Sequence, residues 1–250
     1  MPRRLLALVA VSAALACESV PLNYQDPNAV QDPNVCAMGK RVLTSDVINA
    51  RDLGGMPLTS GESTACGALF RGPPLSRLTA SGCDDVTALG VHTVIDLRTP
   101  DESLSNPETA CVGEGRTLVA APLPIPYNVS TADYIADLNA SESMATAFAT
   151  LGDDGAYPIY FHCTWGRDRT GILAALVYLA LGASEVDIVK EYSLSASLVG
   201  AYPDSLRGAL AEIEHRGGIE AYLTTLGVSQ EQRAILRTHA VAQPPTAPSP

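Results

Sequence analysis

The run Phe161-His162-Cys163-Thr164-Trp165-Gly166-Arg167-Asp168-Arg169-Thr170-Gly171 constrains this chain more than any other stretch. Ahead of it, Tyr157-Pro158-Ile159-Tyr160-Phe161 reads as a short buried strand. Behind it, Ile172 to Leu181 is apolar almost all round, the pattern of a helix packed deep in a core. A strand, a loop that turns at Gly166 and a helix start make an anion cradle, because loop N–H groups converge and the helix N-terminus adds partial positive charge. Cys163 at the base of such a cradle is expected as a thiolate, since these surroundings lower a thiol pKa to roughly 3.5–7.5. A thiolate facing a bound phosphate is a nucleophile in position.

The Cys-x5-Arg spacing is weak by itself. With 6 cysteines and 16 Lys+Arg in 250 residues, chance places a basic residue at that offset from a cysteine about 0.4 times per chain. The flanking strand and helix give the spacing its meaning. Elsewhere the chain alternates in the same way. Strands are expected near Leu69-Phe70, Val91 to Leu97 and Arg116 to Ala121, with a helix from Thr79 to Leu89 and a polar helical stretch from Thr131 to Leu151. Helices near Ser184 to Leu194, Pro203 to His215 and Gln230 to Ala240 follow. This order predicts an α/β fold with a central, mainly parallel twisted sheet flanked by helices, and a ligand at the carboxyl end of the strands.

At the cysteine loop the chain resembles the protein tyrosine phosphatase superfamily, whose signature is His-Cys-x5-Arg-(Ser/Thr). It is most similar to the bacterial secreted branch carrying His-Cys-x-x-Gly-Lys-Asp-Arg-Thr-Gly. Other blocks match in order: Asn49-Ala50-Arg51-Asp52-Leu53-Gly54-Gly55, Leu69-Phe70-Arg71-Gly72, Leu75 to Thr79, and Val94-Ile95-Asp96-Leu97-Arg98 followed by Glu102. Tyr192-Ser193-Leu194-Ser195 and Gly218 to Leu223 resemble its C-terminal helical blocks, so about 190 residues, from near Val42 to near Leu236, are covered. Arg167 departs from the branch, which has lysine there.

The resemblance implies a tyrosine-phosphatase-like fold and hydrolysis of phosphomonoesters, phosphotyrosine first, with phosphoinositides or inositol phosphates as the alternative. A phosphate-binding relative without activity is a further alternative. Cys163 would form a cysteinyl-phosphate that water hydrolyses, and Arg169 would grip two phosphate oxygens with its planar fork. His162, Thr164, Trp165, Gly166, Arg167, Thr170 and Gly171 complete the phosphate-binding loop. His162 would steady it, and Thr170 would either donate to the sulfur or cap the helix. The leaving oxygen needs a proton. Asp168 is the first candidate for the acid and Asp96 the second, with an ion pair to Arg98 or Arg51 as the other reading of Asp96. Lysine at the Arg167 position goes with phosphoinositide substrates, and arginine keeps the charge while changing its geometry.

The N-terminus reads as an address. Arg3-Arg4, an apolar Leu5 to Leu15 and Ala14-Leu15-Ala16 predict an export signal over residues 1–16, too short to span a bilayer as an ordinary helix. Cys17 directly after it is a lipidation candidate, so the expected location is the cell envelope as a lipoprotein, otherwise periplasmic or secreted. Residues 17–35, with Pro21, Pro27 and Pro33, have linker composition, residues 36–241 form the predicted phosphatase domain, and residues 242–250 a Pro-rich tail.

Setting Cys17 and Cys163 aside leaves Cys36, Cys66, Cys83 and Cys111, an even set suited to an oxidising compartment. Three pairings are open, and Cys36–Cys66 with Cys83–Cys111 is the expected one. No Cys-x2-Cys or His pair is present, so neither a metal nor another cofactor is expected. A net charge of −11 argues against nucleic acid as a partner. The expected partners are a phosphorylated protein or an inositol phosphate, with a membrane reached through the lipid.

Overall fold

A computed structural model describes Met38, residues 46–124 and residues 130–242 of this chain. The expected signal, the linker, Cys17, Cys36 and nearly all of the Pro-rich tail lie outside the described residues. Five strands form one sheet: β1 (Arg51–Asp52), β2 (Leu69–Gly72), β3 (Thr93–Asp96), β4 (Thr117–Ala120) and β5 (Ile159–His162). Their order is β1-β2-β5-β3-β4, with β1 antiparallel to β2 and every other pair parallel. The mainly parallel α/β architecture expected from the sequence is what the chain adopts.

Alternation along the strands divides the core. Phe70, Val94 and Tyr160 face one side of the sheet, where α1 (Ala80–Ala88) and α3 (Ala110–Gly113) cover them with Val86 and Val112. The Cys83–Cys111 disulfide ties these two helices together. Cys66 is disulfide-bonded too, and its expected partner Cys36 lies outside the described residues. On the other side, Leu69, Ile95, Ile159 and Phe161 pack into the larger cluster. There lie α4 (Thr131–Leu138), α5 (Ser141–Leu151), α6 (Asp168–Leu181), α7 (Glu185–Ser193), α9 (Pro203–His215), α10 (Gly218–Thr225) and α11 (Gln230–Ala240). The short α2 (Pro100–Ser105) follows β3, and α8 (Ala196–Val199) follows α7.

Along α6 only Leu179 and Ala180 reach partial exposure. That is why its sequence carries almost no polar face. The helical stretch expected from Thr131 to Leu151 is divided between two helices, α4 and α5. Asn139 caps α4, and its side-chain oxygen accepts from Arg216, while Ala140 at ψ 61° turns the backbone out of the helix.

Register places the site. Gly72, His162 and Asp96 stand side by side at the carboxyl ends of β2, β5 and β3. The loop after His162 therefore leaves from the middle of the sheet, flanked by the ends of both neighbours.

Candidate active site

The loop runs from Cys163 at the end of β5 to Asp168 at the start of α6. Gly166 sits at its apex with φ +64°. A Cβ there would stand 2.3 Å from the Gly72 carbonyl carbon and 2.5 Å from its oxygen, backbone atoms with no room to yield. Only glycine meets both requirements. Cys163 is buried and is the free cysteine among the described residues.

Two side chains hold the loop's carbonyls. Asn49 Nδ2 donates to the oxygens of Trp165 (2.9 Å) and Gly166 (3.2 Å). Arg71 Nη2 donates to the oxygens of Gly166 (3.0 Å) and Arg167 (3.3 Å). In a trans peptide the N–H points opposite the C=O. Anchoring three successive carbonyls on the Asn49 and Arg71 side therefore turns the N–H groups of Gly166, Arg167 and Asp168 the other way, which is what an anion cradle requires. Asn49 itself has φ +66°, a left-handed conformation that asparagine tolerates better than most residues.

The anchors rest on a buried ion cluster. Glu191 of α7 accepts from Arg51 Nε at 2.6 Å and from Arg71 Nη1 at 2.7 Å, with all three side chains almost wholly buried. Burial opposes the charge on Glu191, but the two guanidinium groups outweigh it and hold its carboxyl below the ordinary range. Asn49 Oδ1 accepts from Arg51 Nη1 and Ser195 Oγ, which joins the cluster to the loop.

Arg169 is clamped from α2. Its Nη1 and Nη2 donate to Glu102 Oε2 (2.6 Å) and Oε1 (2.7 Å), and Thr164 Oγ1 donates to the same Oε1 at 2.6 Å. The Arg169 hydrogen bonds keep the Glu102 carboxyl well below the usual carboxylate range. Glu102 also closes a capping box with Thr99, so the helix start and the arginine clamp share one carboxylate.

Asp168 Oδ1 accepts from Tyr134 Oη (2.7 Å), and both its oxygens accept from Arg167 Nε (2.9 Å each). Arg167 also donates to the Val199 carbonyl and lies 4.7 Å over the Tyr202 ring. Trp165 is half-exposed. Thr170 is the third residue of α6, and its hydroxyl is buried without a partner. The helix-capping alternative for Thr170 is thereby corrected: Arg167 occupies the cap position and its carbonyl accepts the first helical N–H, from Gly171. Gly171 lets the ring of Tyr192 lie against the helix, where a Cβ would meet it at 2.7 Å.

Asp96 forms the Arg98 ion pair, not one with Arg51, which is committed to Glu191. Burial favours the neutral acid, but Arg98 reverses that and leaves the Asp96 carboxyl below its ordinary value. His162 is fully buried between Asp96 and Glu108. Burial pushes its imidazole down to about 4 and the Glu108 carboxyl up to about 7.

The roles of Glu191, Glu108 and Tyr134 were not legible in the sequence. Arg71 offered a signal: it is a lone cation inside an otherwise apolar strand, and such a charge needs a buried partner.

Comparison of sequences agrees on the family. The model of the tyrosine phosphatase family matches residues 42–242. A Cupriavidus necator protein provisionally named a tyrosine-protein phosphatase is 30% identical over 207 residues, 75% of this chain and 74% of that protein. The tyrosine-protein phosphatase of Nostoc commune is 29% identical over 232 residues, 71% of this chain and 78% of the relative. Among solved structures, the core catalytic domain of the S. cerevisiae PP-IP phosphatase SIW14, in complex with citrate, aligns with a TM-score of 0.44 and 17% identity. That alignment covers 64% of this chain and 89% of the domain.

Proposed function

This chain belongs to the tyrosine phosphatase family, and on that premise we propose that it hydrolyses phosphomonoesters through a cysteinyl-phosphate on Cys163, with phosphotyrosine as the principal substrate class. The observation that carries the reading is the cradle: three loop carbonyls held outward by Asn49 and Arg71 above a buried free cysteine, with Arg169 fixed beside it by Glu102.

In the proposed chemistry the Cys163 thiolate attacks phosphorus in line. The S–P bond forms as the ester P–O bond breaks, and the leaving oxygen takes a proton from Asp168. Loop N–H groups and Arg169 carry the charge of the equatorial oxygens. Water then attacks phosphorus and gives its proton back to Asp168, the S–P bond breaks, inorganic phosphate leaves and the thiolate returns. Thr170, with its unpartnered hydroxyl, is suited to donate to the sulfur as it leaves. Asp168 is preferred over Asp96 because it stands in the catalytic loop itself, at the start of α6, whereas Asp96 is tied into the neighbouring Arg98 and Ser103 cluster. The leader over residues 1–16 and Cys17 support export and lipid anchoring in the cell envelope.

Turnover of para-nitrophenyl phosphate in metal-free buffer tests the reading. Activity in the wild-type chain and none in Cys163→Ser is the expected result. Absence from the wild type, or survival in the variant, refutes it. Comparing phosphopeptides with inositol phosphates then reads the substrate class.

A further inference from the structure

Beside the catalytic loop the fold assembles a second polar cluster from three separate segments. His162 ends β5, Asp96 ends β3, and Glu108 lies between α2 and α3. Asp96 Oδ1 is 3.7 Å from the imidazole Nδ1, and Glu108 Oε1 is 3.3 Å from Nε2. With one donor atom taken from each residue, all three lie within 4.8 Å of one another. The His162 ring is wholly buried, and neither nitrogen makes an aligned hydrogen bond. Leaving a buried polar group unpaired costs about 1–3 kcal/mol. One ring nitrogen can serve one ion, so an occupant held by that nitrogen together with the two carboxylates would account for it, while the other nitrogen faces the Cys163 backbone. The trio lines a cavity of about 240 Å³, otherwise walled largely by apolar side chains such as Val94, Val119 and Pro122.

We propose that His162, Asp96 and Glu108 form a binding site for a divalent transition metal of the zinc type, with water completing its shell. An imidazole nitrogen and two carboxylate oxygens are ligand types that zinc takes at about 2.0–2.2 Å, and three protein ligands plus water is an open set for it. The donors, within 4.8 Å of one another as they stand, must draw together to the separation of about 3.4 Å that a tetrahedral shell at those distances sets. Arg98 shares both carboxylates, donating to Asp96 Oδ2 at 2.8 Å and Glu108 Oε1 at 2.7 Å, and Ser103 donates to Asp96 as well. The Arg98 charge offsets the acidic pair, which leaves the imidazole as the ligand that favours nitrogen-seeking ions over Mg²⁺. None of this appears as a sequence motif, because positions 96, 108 and 162 meet only through the sheet. The Cys163 backbone lies against the same imidazole, so an ion on His162 would stiffen the first residue of the cradle.

The test is calorimetric titration of zinc sulfate into the metal-free full chain carrying Cys163→Ser and Cys17→Ser, which removes as rival ligands the two cysteines that the expected disulfides leave unpaired. The same titration is run with Glu108→Gln and Glu108→Ala added, each checked for folding by circular dichroism. One site is expected in this parent chain, weakened at least tenfold by either Glu108 change. Glu108→Gln keeps the side-chain length and one of the two acceptor oxygens, that for the Leu75 N–H or that for Arg98, so it carries the comparison if Glu108→Ala does not fold. Anomalous scattering at the zinc edge from crystals of the loaded chain should place the ion on His162. The proposal is overturned if Glu108 variants titrate like their parent, if the two serine changes abolish binding seen in the wild type, or if the ion sits on His92, His215 or His239. The readout is binding, so it stands apart from the phosphatase assay.

Discussion

Glu191→Gln probes the cluster that holds the catalytic loop. The carboxylate accepts from two guanidinium groups at 2.6 and 2.7 Å, with 2% of its side chain and at most 3% of theirs exposed. Removing its charge leaves Arg51 and Arg71 buried together with no counter-ion, and their mutual repulsion already depresses the Arg71 guanidinium after burial itself has done so. Breaking a buried pair by removing one partner costs about 3–5 kcal/mol. For a domain of this size that lowers Tm by about 6–20 °C. Urea unfolding followed by circular dichroism measures the loss. A double variant, Arg71→Met with Glu191→Gln, removes one stranded cation and should cost less than the two single losses added together, by more than about 1 kcal/mol. Turnover should fall in every variant that touches Arg71, because the Gly166 and Arg167 carbonyls lose their donor. A loss below about 1 kcal/mol for Glu191→Gln, or strict additivity in the double variant, would refute the idea that this carboxylate neutralises both cations.

Three further outcomes are expected. Gly166→Ala forces a Cβ into the Gly72 backbone at φ +64°, and since misplacement by 1 Å costs on the order of 100-fold, kcat should fall at least about tenfold; near-normal kcat would show that the loop yields. Replacing Cys83 and Cys111 by serine opens a 28-residue loop and should cost about 3–4 kcal/mol in chemical unfolding, whereas an unchanged midpoint would remove the disulfide's stabilising role. Glu108 keeps a proton in the fold up to about pH 7 that the unfolded chain sheds near 4.5, so its contribution falls as pH rises between them. His162 does the reverse, lacking in the fold between about pH 4 and 6.5 a proton that the unfolded chain holds. Glu108→Gln should therefore expose the His162 slope, with stability rising between pH 4 and 6.5 by up to about 1.4 kcal/mol per unit; parallel curves for variant and wild type would sink the argument.

The sequence made the loop and its supports legible unevenly. The strand, turn and helix around Cys163 follow from local pattern, because β5 and α6 are buried nearly all round and must be apolar throughout. The Asp96–Arg98 pair was also readable, since the two are neighbours on one strand end. Glu191 was not: it looks like any helical surface glutamate until α7 is docked against β1 and β2. Nor did periodicity reveal the break at Asn139-Ala140, where apolar spacing continues on both sides and the Asn139 side chain meets Arg216, 77 positions away. Residues whose role depends on a distant charge carry no local mark.

The cluster beneath the loop also divides how added salt acts. Mobile ions screen exposed charges beyond about 8 Å at physiological ionic strength but barely reach buried ones. Arg51, Arg71 and Glu191 are sealed from solvent, so the shape of the cradle is indifferent to the medium. Arg167, less deeply covered at the Tyr202 side, is the cation there that ions can reach. Raising ionic strength should therefore weaken capture of a charged substrate while leaving the committed chemical step as it was, which makes the Michaelis constant and the maximal rate report on two different layers of the same loop.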